Sequence, residues 1–190
     1  MSDVLRALIP AMWLLWLAYW VMAGRNHKAT LRQESTLSRL SHYGPLVLGG
    51  ALLGVPNLAG PALEQPFHAL TTAWLLSATV LAALGLGFCA LARFWLGRNW
   101  SAQVTVKHDH ELIRSGPYAL VRHPIYTGAL LALLGTAISV DKWRALVGLA
   151  LMVAAFLRKL TIEERFMAEQ FGKAYARYQA EVPALIPFVV

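Results

Sequence analysis

The chain has 190 residues, of which 57% are apolar or aromatic and only 14% charged, whereas a soluble domain carries about 25% charged residues. Together with a mean hydropathy of +0.51 this excludes an ordinary soluble domain and predicts a single polytopic integral membrane protein. The net charge of +7 comes from basic residues at the ends of apolar runs, where they meet anionic headgroups, so no nucleic-acid partner is expected. The single cysteine, Cys89, lies inside an apolar run and excludes an intrachain disulfide framework.

Residues 4–23 match the roughly 20 apolar residues that a membrane helix needs, and they read as a retained helix rather than a removed leader. Trp13, Trp16 and Trp20 share one face of it, suited to lipid contact and helix packing or to a groove for a lipid tail. Residues 24–42 form a polar, basic connector, residues 43–59 a shorter Gly-rich second span, and residues 60–68 a turn with two prolines. Residues 69–97 are a third span long enough to tilt or protrude. A polar loop follows over 98–124. The apolar runs 125–140 and 143–158, separated only by Asp141-Lys142, predict an antiparallel helical hairpin. Beyond Arg158 the sequence is polar and helical and then ends in the apolar tail VPALIPFVV.

The expected fold is therefore all-α with five transmembrane helices. It divides into residues 1–97, holding the first three helices, and residues 98–190, holding the loop, the hairpin, the C-terminal helix and the tail. Lysines and arginines set the orientation. Four lie in 24–42, five in 93–124 and five in 158–190, against only Arg6, Lys142 and Arg144 on the other side. This bias places the first set in the cytoplasm, in a cell's inner membrane, with the N-terminus outside. Because the hairpin leaves the cytosolic face and returns to it, the polar loop and the polar helix must meet there. A cytosolic pocket built from both would open to water on one side and lipid on the other, which suits a soluble charged cofactor and a lipophilic substrate.

The loop HELIRSGPYALVRHPIYTG, residues 110–128, carries most of the chemistry. Ser115-Gly116-Pro117 reads as a turn, and Pro124 suits the first turn of a helix. Backbone N–H groups near Gly116 and at the helix start could bind an anion. Arg122 could pair with a carboxylate, and Tyr118 offers an aromatic face. His123 and Tyr126, three residues apart, share a helix face. The alternative is an anchor at the headgroups, with His and Tyr as interfacial residues.

Arg158, Lys159, Glu163 and Glu164 form a second cluster. It is either a solvated face with a Lys159–Glu163 pair, or a carboxylate for a cationic ligand group beside a base for an anionic substrate. Phe171-Gly172 followed by Tyr175 and Tyr178 reads as a helix interruption and an aromatic packing stripe. His108, Asp109 and His110 lack the spacing of a zinc site, and no metal is expected.

Taken in order, LGRNWSAQV, HELIRSGPY, RHPIYTG, EERF, FGKAYARY and VPALIPF resemble the isoprenylcysteine carboxyl methyltransferase family, part of a wider superfamily with phospholipid N-methyltransferases and membrane sterol reductases. The resemblance covers roughly residues 95–188. It implies a multi-helix membrane enzyme that uses S-adenosyl-L-methionine at its cytosolic face and takes its substrate from the lipid. It carries cofactor-binding roles to Gln103, His110, Glu111, Leu112, Ile113, Tyr118, His123, Pro124, Ile125, Tyr126 and Glu163. Catalytic roles fall on Arg158, Lys159, Glu163 and Glu164. The family's usual Arg, four residues before the Glu, is replaced by Lys159. Either Arg158 holds the substrate carboxylate in a shifted register, or the substrate differs.

The implied reaction is carboxyl O-methylation of an isoprenylcysteine-type substrate. A carboxylate is already ionised at neutral pH and needs no general base, so the enzyme would chiefly position the reactants and exclude water. N-methylation of a phospholipid headgroup amine would need a proton acceptor, such as Glu163 or Glu164. A sterol-reductase-like enzyme using NADPH is a third reading, against which the short chain and five spans count. A non-enzymatic membrane scaffold is a fourth. The oligomeric state is open.

Overall fold

Where the apolar runs are long, the computed structural model makes each a helix, even where Pro10 and Pro45 each remove one bond from the helical ladder; it describes residues 2–23, 30–100, 105–107 and 111–188. In chain order the elements are α1 (Ser2–Ala23), β1 (Thr30–Gln33), α2 (Thr36–Gly54), α3 (Thr72–Leu96), β2 (Thr105–Lys107), α4 (Pro117–Leu120), α5 (Pro124–Val140), α6 (Trp143–Phe171) and α7 (Lys173–Glu181). The fold is helical, as expected, with one addition: β1 and β2 pair antiparallel, Arg32 opposite Val106. Segments of four and three residues are too short for alternation to register in sequence.

Three of the five expected spans, α1, α3 and α6, are long and apolar enough to cross a membrane by length and composition; α5 is apolar but shorter. The second span is displaced. Its helix begins at Thr36, because the Ser35 side chain caps it by accepting from Ser38 N at 3.2 Å, and it ends at Gly54, before Pro56. The polar connector therefore contains β1 and the first turns of α2. No break separates the fifth apolar run from the polar helix after it, since α6 continues to Phe171, where Gly172 at φ +50° ends it.

The hairpin arms α5 and α6 run antiparallel, yet their main packing partners lie elsewhere: α5 along α3, and α6 along α2. Glycines permit both seams. A Cβ at Gly85 would lie 2.4 Å from the Gly128 carbonyl oxygen, and one at Gly49 would lie 2.6 Å from that of Gly148. In lipid the hydrophobic effect gives helices little reason to associate, so close backbone approach supplies the van der Waals contact.

Among the described residues α1 packs on α3 and makes no extended seam with α2. Trp13 Nε1 ties it to Thr136 Oγ1 at 2.9 Å, and the Tyr19 hydroxyl ties it to the Ala90 carbonyl. At one end of the bundle the buried Arg144 donates to the carbonyls of Leu52 and Leu53 and pairs with Glu64 at 2.8 Å, covering the open carbonyls of α2. At the same end Asp141, in the left-handed conformation, closes α5 and accepts from His68 N at 3.2 Å.

Candidate active site

The polar loop reaches its position through one turn and two clamps. Gly116 sits at φ +60° with the Trp95 ring so close that a Cβ would lie 2.4 Å from it, and Trp95 Nε1 donates to Ser115 Oγ at 3.0 Å. α4 follows, and Val121 and Pro124 are buried. The first clamp is α7: the Tyr178 hydroxyl donates to the Tyr118 carbonyl at 2.5 Å, and Arg114 pairs with Glu181. The second is the tail, whose Pro183, Ala184 and Leu185 carbonyls accept from Arg122 N at 2.9 Å, His123 N at 3.0 Å and Thr127 Oγ1 at 2.6 Å. The N–H groups of Arg122 and His123, just before α5, are thus taken by the chain itself.

Arg122 finds the expected carboxylate within the protein. Its Nε and Nη2 each lie 2.7 Å from Glu164 Oε1, and its Nη1 donates to the carbonyls of Gln179 and Val182. Gln179 Nε2 donates to Glu164 Oε2 at 3.1 Å. This side of α6 is a polar knot between the loop and α7.

One residue earlier on α6, Glu163 faces the other way. Its Oε1 accepts from the Tyr126 hydroxyl at 2.5 Å, its Oε2 lies 3.6 Å from His123 Nδ1, and Lys159 Nζ lies 4.0 Å from it. His123 is stacked parallel to Tyr126, with ring centroids 5.5 Å apart, and its Nε2 lies 3.2 Å from Glu164 Oε1. The Lys159 ammonium stands 5.6 Å from the centre of the Tyr126 ring. Burial alone would disfavour a charged imidazole at His123. The hydrogen bonds and negative charges of Glu163 and Glu164 outweigh it and hold the His123 pKa above the usual histidine value. Burial pushes the Tyr178 hydroxyl up to about 12, so it stays a donor to Tyr118 at any working pH.

These groups border a cavity of about 360 Å³, within the usual range of roughly 300–1,000 Å³ for ligand pockets. Its lining combines polar groups, Glu111, Arg122, His123, Tyr126, Lys159 and Glu163, with aromatic ones, Trp16, Trp20, Tyr43, Trp100 and Phe156, and Phe156 packs on Tyr126 with ring centroids 5.0 Å apart. Of the residues expected from sequence, Glu111, Leu112, Ile113, Tyr118, His123, Ile125, Tyr126, Lys159 and Glu163 line it. Pro124 is buried behind them, Glu164 turns to Arg122, and Arg158 is exposed and reaches Ser41 Oγ at 3.3 Å. Gln103 and His110, like His108 and Asp109, lie outside the described residues.

Tyr43, Trp100 and Phe156 were not assigned from sequence, whereas Trp16 and Trp20, one helical turn apart, carry the spacing read there as lipid contact and packing or a groove for a lipid tail. Their rings stack at 4.4 Å, and Trp100 meets Trp20 edge-on at 5.6 Å. Arg93, buried in α3, fixes this wall: it lies 4.5 Å from the centre of the Trp100 ring and donates to the carbonyls of Ala23 and Gly97. The site therefore draws on α1 and α2 as well as on residues 98–190.

Comparison with known proteins agrees with this architecture. The family model for phospholipid methyltransferases matches residues 73–174, more than half of the chain. Protein-S-isoprenylcysteine O-methyltransferase B of Arabidopsis thaliana is 27% identical over 90% of this chain and 86% of its own length. The Homo sapiens protein-S-isoprenylcysteine O-methyltransferase is 32% identical over 90% of this chain, which spans 60% of it. A solved eukaryotic intramembrane Ras methyltransferase, isoprenylcysteine carboxyl methyltransferase, superposes with a TM-score of 0.52 at 24% identity, over 81% of this chain and 52% of its own, and so shares the fold. The chain is thus an integral membrane protein that belongs to the phospholipid methyltransferase superfamily, on its isoprenylcysteine carboxyl methyltransferase branch.

Proposed function

We propose that the protein methylates the carboxylate of an isoprenylcysteine-type lipophilic substrate, with S-adenosyl-L-methionine as methyl donor. The observation that carries this reading is the meeting of His123, Tyr126, Lys159 and Glu163 in a cavity that aromatic side chains also line. The lining suits the donor. Glu111 and Glu163 offer carboxylates to a cationic amino-acid group, and Tyr118 and Tyr126 offer aromatic faces to an adenine or a sulfonium. When bound, that group supplies a methyl carbon activated by its sulfonium.

The chain's own residues do the rest. Lys159, the cavity's cation on α6, meets the substrate carboxylate; Arg158 points out of the cavity and is not needed for that role. A single ammonium lacks the fork that grips both carboxylate oxygens, so Lys159 orients the nucleophile less rigidly than an arginine would. Trp16, Trp20 and Phe156 receive the lipid chain and keep water from the reacting carboxylate. No general base is required, because the nucleophile is already ionised.

Headgroup-amine N-methylation finds support in the family model, which is named for phospholipids. It needs a proton acceptor, and Glu163, which already accepts from the Tyr126 hydroxyl and faces His123 at 3.6 Å, serves better as a fixed negative charge than as a base. We further propose that α2 and α5 also cross the membrane, giving five spans, and that the cavity opens at the cytosolic face of the inner membrane, the side richer in Lys and Arg.

The deciding experiment supplies methyl-labelled S-adenosyl-L-methionine to the purified protein with either a farnesylcysteine analogue or phosphatidylethanolamine vesicles. Label on the prenylated compound, released as methanol by base, supports the proposal. Base-stable label on the phospholipid, or no transfer to the prenylated compound, refutes it.

A further inference from the structure

A second cavity of about 780 Å³ lies at the opposite end of the bundle, among α1, α2, α5 and α6. It is open to its surroundings and falls within the roughly 300–1,000 Å³ of ligand pockets, large enough to admit a hydrocarbon chain.

Its walls are mostly apolar, with Ile9, Trp13, Leu53, Leu133, Val140 and Met152. The polar side chains of the α5 wall are satisfied within the protein. Thr136 Oγ1 accepts from Trp13 and donates to the Ala132 carbonyl at 2.8 Å, and Ser139 Oγ donates to the Thr136 carbonyl at 2.8 Å. Such an interior suits hydrocarbon better than a polar solute. Gly50 and Gly54 line it too, and a Cβ on either would meet no atom within 4 Å.

The rim is charged. Asp141 is bonded to His68 N, and Arg144 is engaged by Glu64 and the α2 carbonyls. Two further cations line the cavity: Arg6, exposed on α1, and Lys142, half-buried before α6. Trp74 and Trp143, each 48% exposed, stand at this same end of α3 and α6, as interfacial tryptophans do at headgroup level.

We infer that this cavity holds an anionic phospholipid of the bilayer, its acyl chain between α1 and α2 and its phosphate met by Arg6 and Lys142. The lipid fills the slot that α1 leaves beside α2 and braces α1 against α5 from the end remote from the candidate active site.

The test is native mass spectrometry of the full chain in detergent, titrated with phosphatidylglycerol or with phosphatidylcholine of the same acyl chains. One phosphatidylglycerol should bind at least tenfold more tightly than phosphatidylcholine. The Arg6→Gln, Lys142→Gln double variant should lose about 25-fold in phosphatidylglycerol affinity, at about fivefold per cation. Gly50→Phe, which fills the cavity, should abolish the adduct. Far-UV circular dichroism checks the fold of each variant, and the charge variant, changed only at the rim, still decides the matter if Gly50→Phe does not fold. Equal affinity for the two lipids, or an adduct indifferent to both variants, overturns the inference.

Discussion

Glu163 and Glu164 are chemically identical neighbours with opposite surroundings, and replacing each by Gln should separate two properties. Glu164 is 17% exposed at its side chain and Arg122 11%, so the pair sits largely out of water. Neutralising one member of a buried pair costs about 3 kcal/mol, because the arginine keeps its charge and loses its counter-charge. In a chain of this size that lowers the unfolding midpoint by roughly 6–12 °C. Glu164→Gln should therefore melt early in detergent, followed by tryptophan fluorescence, yet bind S-adenosylhomocysteine within about threefold of the parent, since Glu164 does not line the cavity. Glu163→Gln keeps the acceptor for the Tyr126 hydroxyl and should melt within a few degrees of the parent. It removes the negative charge facing the ligand, so calorimetry should show affinity for S-adenosylhomocysteine reduced about 10- to 100-fold, the equivalent of one charge-assisted hydrogen bond. The reasoning fails if Glu164→Gln loses the ligand at an unchanged midpoint, or if Glu163→Gln binds normally.

Trp16→Ala should raise KM for a prenylated substrate about tenfold or more while leaving S-adenosylhomocysteine affinity unchanged, because it removes an apolar ring stacked on Trp20 and no charged group; paired steady-state and calorimetric measurements decide it. Gly128→Leu should abolish the folded monomer in detergent, seen as loss of a monodisperse elution peak, since its Cβ would lie 2.5 Å from the Gly85 carbonyl oxygen. The raised pKa of His123 fixes the sign of a pH effect. Its ion pairs contribute fully below the unfolded histidine value of about 6.5, and the contribution is lost as pH rises through the higher folded value. The unfolding midpoint should fall on going from pH 6 to pH 9, and a flat profile would contradict the charged state.

The meeting of loop and polar helix was legible in sequence because the expected hairpin, two antiparallel apolar arms, brings the segments that flank it to one end of the bundle. His123 and Glu163, forty residues apart, accordingly touch. The division of labour between Glu163 and Glu164 was not legible. Consecutive helical residues point about 100° apart, and only the position of the neighbouring elements decides which one faces the cavity. The role of VPALIPF was hidden for a different reason, since it acts through backbone carbonyls, which every residue has. The tryptophan wall left a readable turn-by-turn spacing, but the same spacing serves plain lipid contact. β1 and β2 left nothing to read.

The clamp formed by Pro183, Ala184 and Leu185 also sets a schedule for biosynthesis. The helices can enter the bilayer as they emerge from the ribosome, but the segment bearing Arg122 and His123 cannot take its final form until translation has passed residue 185. The enzyme would thus be inserted before it is competent, with its reactive corner closed only once residues 183–185 have been made.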